Sequence, residues 1–270
     1  QTVSSVDKFL EENEGNPTLK ENKVLESIRV LAKIVEHDPW SDFVTTVTIC
    51  NNQQNPVDPW NLRANDRIQC DLQDKFKEDV GIFYSRQEKA FENLTDSDLE
   101  EMGIADSRDL KIKNLAQTFL AGQGELDKMS RLRDVFEAQK VYEETFRQSY
   151  LHSDSRKIIL AYKIGLVLNS PMRRLEELAP KKLAYAIGRT RNLVWALLVQ
   201  AGLNDEKLGD WLEWYGRSLA KEADFRSLLE QKASSRLLPI IKVVFSDPIY
   251  MSKIENEKYS FVRAKDLFRR

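Results

Sequence analysis

The chain has 270 residues, 41% of them apolar and 31% charged, and a formal charge of −2. That composition suits a globular protein with a core of ordinary size, and its bulk charge selects no partner. The longest uninterrupted apolar run, Leu193 to Val199, falls far short of the roughly 20 residues a membrane span needs. Cys50 and Cys70 form no C-x-x-C pair, so neither a zinc ribbon nor a redox centre is signalled and a reducing, cytoplasmic setting is expected.

Val3, Val6, Phe9 and Leu10 recur at three- and four-residue steps and predict a helix over Thr2–Phe9, with no leader pattern in front of it. Ser27–Val35 alternates as a buried strand would. Phe43–Cys50 is rich in β-branched residues, yet Phe43, Val47 and Cys50 share a helical face, and a helix is the reading adopted. Asn52, Gln54 and Asn55 then place amides on a turn closed by Pro56 and the Asp58-Pro59 step. Amides left unpaired in a core cost roughly 1–3 kcal/mol each, so such a cluster implies a solvated turn or a site that satisfies them. Ile68, Leu72, Phe76 and Val80, at four-residue steps among charges, predict an amphipathic helix over Arg63–Asp79. Gly81–Arg86 follows as a short strand, and Thr95 with Asp98 forms a variant capping box for a helix over Ser97–Met102 that Gly103 stops.

After Lys89 no further strand pattern is visible. Helices are expected over Lys111–Ala121, Ser130–Tyr150, Arg156–Leu168, Ala179–Ala201, Lys207–Leu219 and Phe225–Phe245, with a kink at Pro239. Trp195, Trp211 and Trp214 read as packing residues of that helical part. The fold class is therefore α+β: a small mixed α/β part over residues 1–90, followed by a larger all-α region over residues 91–270.

Three blocks carry a family resemblance. N-x-Q-N-P-V (Asn52, Gln54, Asn55, Pro56, Val57), followed by Asp66, Gln69 and the run FYSRQE from Phe83 to Glu88, resembles the abortive infection phage resistance (AIPR) family of bacterial proteins. Gln1-Thr2 is similar to the end of that family's N-G-x-Q-T motif, and Asp109–Phe146 resembles the helical region that follows. The resemblance implies that residues 1–90 are the C-terminal part of a truncated AIPR-type domain, and that the chain serves phage defence by abortive infection. The first two blocks are also similar to those of the DGQHR and ParB-like group, whose members act on or near DNA.

The site expected from these readings is a polar cleft. Gln1, Thr2, Asn52, Gln54 and Asn55 would line it, Asp66 would stand beside it, and Arg63, Arg67 and Arg86 would neutralise phosphates, Arg63 and Arg67 sharing a helix face one turn apart. For Arg63 and Arg67 an intrahelical ion-pair pattern, with Arg67 reaching Asp71, is the structural alternative. Between Arg156 and Arg191 nine bases stand against Glu176 and Glu177, a stretch that could also track phosphates or be a solvated helix face.

DNA and other defence or phage proteins are the expected partners, with no membrane. No metal or cofactor is signalled, since His37 and His152 lack metal-type spacing and no glycine fingerprint or phosphate loop is present. A DNA-associated effector or sensor is the leading reading. The alternatives are a metal-dependent nuclease or nucleotide hydrolase using Asp58 and Asp66 around a divalent ion, and a non-catalytic protein-interaction module.

Overall fold

The computed structural model describes residues 58–147, 154–204, 219, 223–249 and 252. The helices expected over Thr2–Phe9 and Phe43–Cys50, the strand over Ser27–Val35, and Trp211 and Trp214 all lie outside the described residues. So does nearly all of the helix expected over Lys207–Leu219.

The described part is mostly helical, with one two-stranded parallel sheet. Pro59–Leu62 forms a short helix, α1, and Arg67–Val80 forms α2. Gln69, Leu72 and Phe76 are buried along α2, and Gly81 ends it in the left-handed conformation with φ 65°. Ala in place of Gly81 would strain that backbone and press on the Gly103 carbonyl oxygen, 3.3 Å from a Cβ there. Strand β1 (Tyr84–Ser85) pairs with β2 (Leu110–Lys111), Tyr84 opposite Leu110 and Ser85 opposite Lys111. Between the strands lie a 3₁₀ turn at Phe91–Asn93 and helix α3 (Asp96–Glu101). The Thr95 hydroxyl accepts from the Asp98 amide at 3.1 Å while the Asp98 carboxylate accepts from the Thr95 amide at 2.8 Å, so the capping box forms as its residues predict.

Strand β2 corrects the expectation that no strand follows Lys89. It is two residues long and runs directly into a helix, so it has no room to show an alternation. Helix α4 (Ile112–Gln123) is the centre of the molecule: eight of its residues are buried, and α8 and α11 pack against it. A helix apolar around most of its circumference has to be covered on every side.

The single helix expected over Ser130–Tyr150 is three short ones among the described residues: α5 (Leu126–Ser130), α6 (Leu132–Glu137) and α7 (Gln139–Arg147). The chain turns at Arg131 (φ −117°, ψ 50°) and at Ala138 (φ −88°, ψ 105°), neither of which is a Gly or Pro breaker. Then follow α8 (Ser155–Leu166), α9 (Asn169–Leu178), α10 (Lys181–Arg189) and α11 (Arg191–Leu203). Helix α12 (Ala223–Lys232) passes into a π-helical segment at Ala233–Leu237, and α13 (Leu238–Ser246) carries Pro239 in its first turn. Ser234 and Ser235 donate their hydroxyls to the carbonyls of Glu230 (2.7 Å) and Gln231 (2.8 Å), adding bonds where the regular ladder changes.

The core is continuous across residue 90 in the described residues, running from Trp60 to Ile241. Phe119, Phe136, Tyr142 and Phe146 form an aromatic cluster with ring centroids 5.1–6.0 Å apart, and Trp60 meets Phe136 edge-on at 6.1 Å. Trp195 lies against Gly165 so closely that a Cβ there would come within 2.2 Å of the indole, whose Nε1 donates to the Ala161 carbonyl at 3.1 Å. Among the described residues no helix is long and apolar enough to cross a membrane.

Candidate functional site

Gln1, Thr2, Asn52, Gln54 and Asn55 lie outside the described residues, as do His37 and His152. The remaining candidates, Arg63, Asp66, Arg67 and Arg86, cluster around the α1–α2 connection, but their side chains have diverged in task.

Arg63 caps α1 rather than sharing a helix with Arg67. Its Nε donates to the Phe136 carbonyl at 3.0 Å, and its Nη1 donates to Gln139 Oε1 at 2.6 Å and to Asp66 Oδ2 at 3.3 Å. The guanidinium carbon also stands 4.5 Å from the centre of the Tyr142 ring. With its side chain 16% exposed, Arg63 spends its donors inside the protein, fastening α1 to the α6–α7 corner.

Arg86 is used in a similar way. Its Nε donates to Gln73 Oε1 at 3.0 Å, and its Nη1 reaches the Ala64 carbonyl at 2.6 Å and the Cys70 sulfur at 2.9 Å. Arg67 differs, for it lies 76% exposed with only a 3.9 Å approach to Asp71. An exposed pair of that kind contributes about 0–1 kcal/mol, which leaves the guanidinium free to take another partner. Of the three arginines expected to face a ligand, Arg67 alone faces solvent.

Behind Arg63 lies a polar network buried in the core. Gln69, fully buried on α2, donates from Nε2 to the Tyr142 hydroxyl at 2.8 Å and accepts from the Tyr84 hydroxyl. Tyr142 also lies against the Asp66 carboxylate. Burial pushes the Asp66 carboxyl up, against the opposing pull of Arg63. The Tyr84 and Tyr142 phenols are raised as well, mainly by burial, so both stay neutral donors. The Cys70 thiol is raised by burial too, with Arg86 opposing. Asp66 is thus engaged within the fold, and among the described residues no group of three or more His, Cys, Asp or Glu is placed to hold a metal ion.

The basic stretch from Arg156 to Arg191 neither scatters evenly nor forms one continuous face. Arg156 approaches Asp154 at 3.4 Å, Lys163 is fully buried over the Phe225 ring, and Arg189 stacks on Tyr185 at 5.2 Å. Arg173 and Arg174, one turn into α9, line an open polar cavity of about 550 Å³ together with Arg226 from α12. The acids of that cavity are partly occupied: Glu177 pairs with Arg174 at 3.4 Å, and Glu230 accepts the Ser170 hydroxyl. Arg173 is exposed and has no ion-pair partner among the described residues. Arg226 stands some fifty positions downstream of Arg173 in the sequence, so no local charge pattern could reveal it as a member of this group.

No curated protein and no solved structure matches the chain. A family model, that of the AIPR proteins, matches residues 1–247. The match covers all three sequence blocks and extends well past Tyr150, where their resemblance becomes patchy. The chain accordingly belongs to the AIPR family and has its place in defence against phage by abortive infection.

Proposed function

We propose that the chain acts in abortive infection as a DNA-associated effector or sensor, with the arginine-lined cavity between α9 and α12 as its phosphate-facing surface. The observation that carries this reading is the convergence of Arg173, Arg174 and Arg226 from two helices on one polar cavity. Guanidinium groups present planar, paired donors that suit phosphate oxygens, and none of the three side chains is sealed in the core as Lys163 is. Arg67 is a further outward cation. Asn52, Gln54 and Asn55 are the candidates for base-edge contact by residue type. Arg63 and Arg86 serve this surface only indirectly, by holding the α1–α2 connection in place.

The test is binding of fluorescent duplex DNA across a salt series, comparing the unmodified chain with Arg173→Ala/Arg174→Ala and with Asn52→Ala/Gln54→Ala. Loss of two phosphate contacts is expected to reduce the slope of log K against log salt by about 2. The amide variant is expected to weaken sequence preference and leave that slope in place. An unchanged slope in the arginine variant refutes the groove as the surface. Absence of binding at low salt refutes DNA association and leaves the protein-interaction module.

A further inference from the structure

A second cavity, of about 260 Å³, lies where β1 and β2 end and α4 begins. Its wall includes Trp60 and Phe91 on the apolar side and Ser85, Lys111 and Lys113 on the polar side.

Ser85 is 3% exposed, and its hydroxyl is the one buried side-chain polar atom among the described residues without a hydrogen-bond partner. Buried hydroxyls are nearly always paired, so an orphan asks for an explanation. Its direction follows from the strand: Tyr84 points to α2, where its ring meets Phe76 and its hydroxyl reaches Gln69. Alternation puts Ser85 on the opposite face with Phe83, which packs on Phe91 of the cavity wall.

The start of α4 supplies the second feature. No side chain caps this 12-residue helix, and Lys113 and Asn114, in its first turn, have amides without an intrahelical acceptor. Both residues line the cavity. Helix starts of this kind favour negative charge through their free amides and the helix dipole.

The charges around the cavity sharpen the reading. Lys113 holds its ammonium 4.7 Å from the Trp60 ring centre, while Lys111 and Lys89 are exposed and have no ion pair among the described residues. Lys89 adopts φ 60°, the sole non-glycine positive φ among the described residues. Glu88, Glu92 and Asp109 also border the space, but Glu88 already accepts from the Trp60 indole at 3.3 Å, and Glu92 is engaged with another partner.

We propose that this cavity binds a small phosphorylated ligand of nucleoside monophosphate size. Ser85 Oγ and the first-turn amides of α4 hold the phosphate, Lys111 and Lys113 neutralise it, and the Trp60–Phe91 wall receives the flat group. The site is independent of the α9–α12 cavity, so DNA binding can fail without affecting it.

The experiment is isothermal titration of the full chain with adenosine 5′-monophosphate, inorganic phosphate and adenosine, repeated on Ser85→Ala and Lys111→Gln/Lys113→Gln, with thermal unfolding of each unliganded protein. The monophosphate is expected to bind more tightly than phosphate, and adenosine not to bind. Each variant should weaken monophosphate binding at least tenfold. Unliganded Ser85→Ala should melt at the same temperature or higher, because it deletes a hydroxyl that has no partner. A merely structural serine would give the reverse pattern: a lower melting temperature and unchanged binding. The proposal is overturned if neither anion binds at millimolar concentration, if phosphate alone binds as well as the monophosphate, or if affinity survives in the lysine variant, which decides the matter should Ser85→Ala fail to fold.

Discussion

Gln69→Leu tests whether the polar network behind Arg63 holds α2 to β1 and α7. Gln69 is fully buried, accepts from the Tyr84 hydroxyl and donates to Tyr142 at 2.8 Å. Leucine keeps most of the volume, so little cavity cost enters. The Tyr84 hydroxyl would then be left in the core without an acceptor, at about 1–3 kcal/mol, whereas Tyr142 keeps Asp66 and loses only about 0.5–1.5 kcal/mol. The sum, ~2–4 kcal/mol, lowers the urea midpoint by about 1 M for an m-value of roughly 2–3 kcal/mol/M.

The decisive measurement is the double-mutant cycle with Tyr84→Phe, followed by urea unfolding. Tyr84→Phe alone strands the Gln69 carbonyl and costs about 1–3 kcal/mol. The double variant removes both partners and should recover ~1–2 kcal/mol of the summed single costs. Strictly additive losses would refute the network and leave only packing to explain Gln69.

Gly165→Ala drives a methyl into the Trp195 ring and should destabilise by about 1–3 kcal/mol or more, read by thermal unfolding, with partial rescue in Gly165→Ala/Trp195→Leu. Thr95→Ala removes the cap of α3 and should cost about 1 kcal/mol in urea unfolding. The Thr95 amide and hydroxyl hold the Asp98 carboxyl below the usual carboxylate range. That contribution is present above the ordinary carboxylate pKa and is lost as pH falls through the lowered folded value. An NMR titration should show Asp98 returning to the ordinary range in Thr95→Ala.

How far the sequence revealed the fold depended on how local the cause was. The four-residue steps of Leu72 and Phe76, the Gly81 stop and the Thr95–Asp98 box each act within a few residues, and all appear where the pattern puts them. The breaks at Arg131, Ala138 and Thr190 have no Gly or Pro to announce them and follow from packing around α4. The site was harder to read for the same reason. Arg63 looks like a phosphate ligand until Phe136 and Gln139, more than seventy residues away, are seen to occupy it. Arg67, facing no such partner, keeps the exposure its sequence suggests. Ser85 offers no signal in a short aromatic strand, since its want of a partner exists only in three dimensions.

The π-helical segment at Ala233–Leu237 is, in evolutionary terms, the footprint of a single-residue insertion in an otherwise continuous helix. Deleting one of those five residues would let α12 run into α13 with regular pitch. Everything downstream would then rotate by about 100°. Leu238 and Ile241 would leave the core, and the exposed Ile240 and Val243 would be carried round in their stead. Homologues with a one-residue gap here are therefore expected to show a compensating shift of the apolar pattern in α13. Sequences lacking that shift should align without the gap.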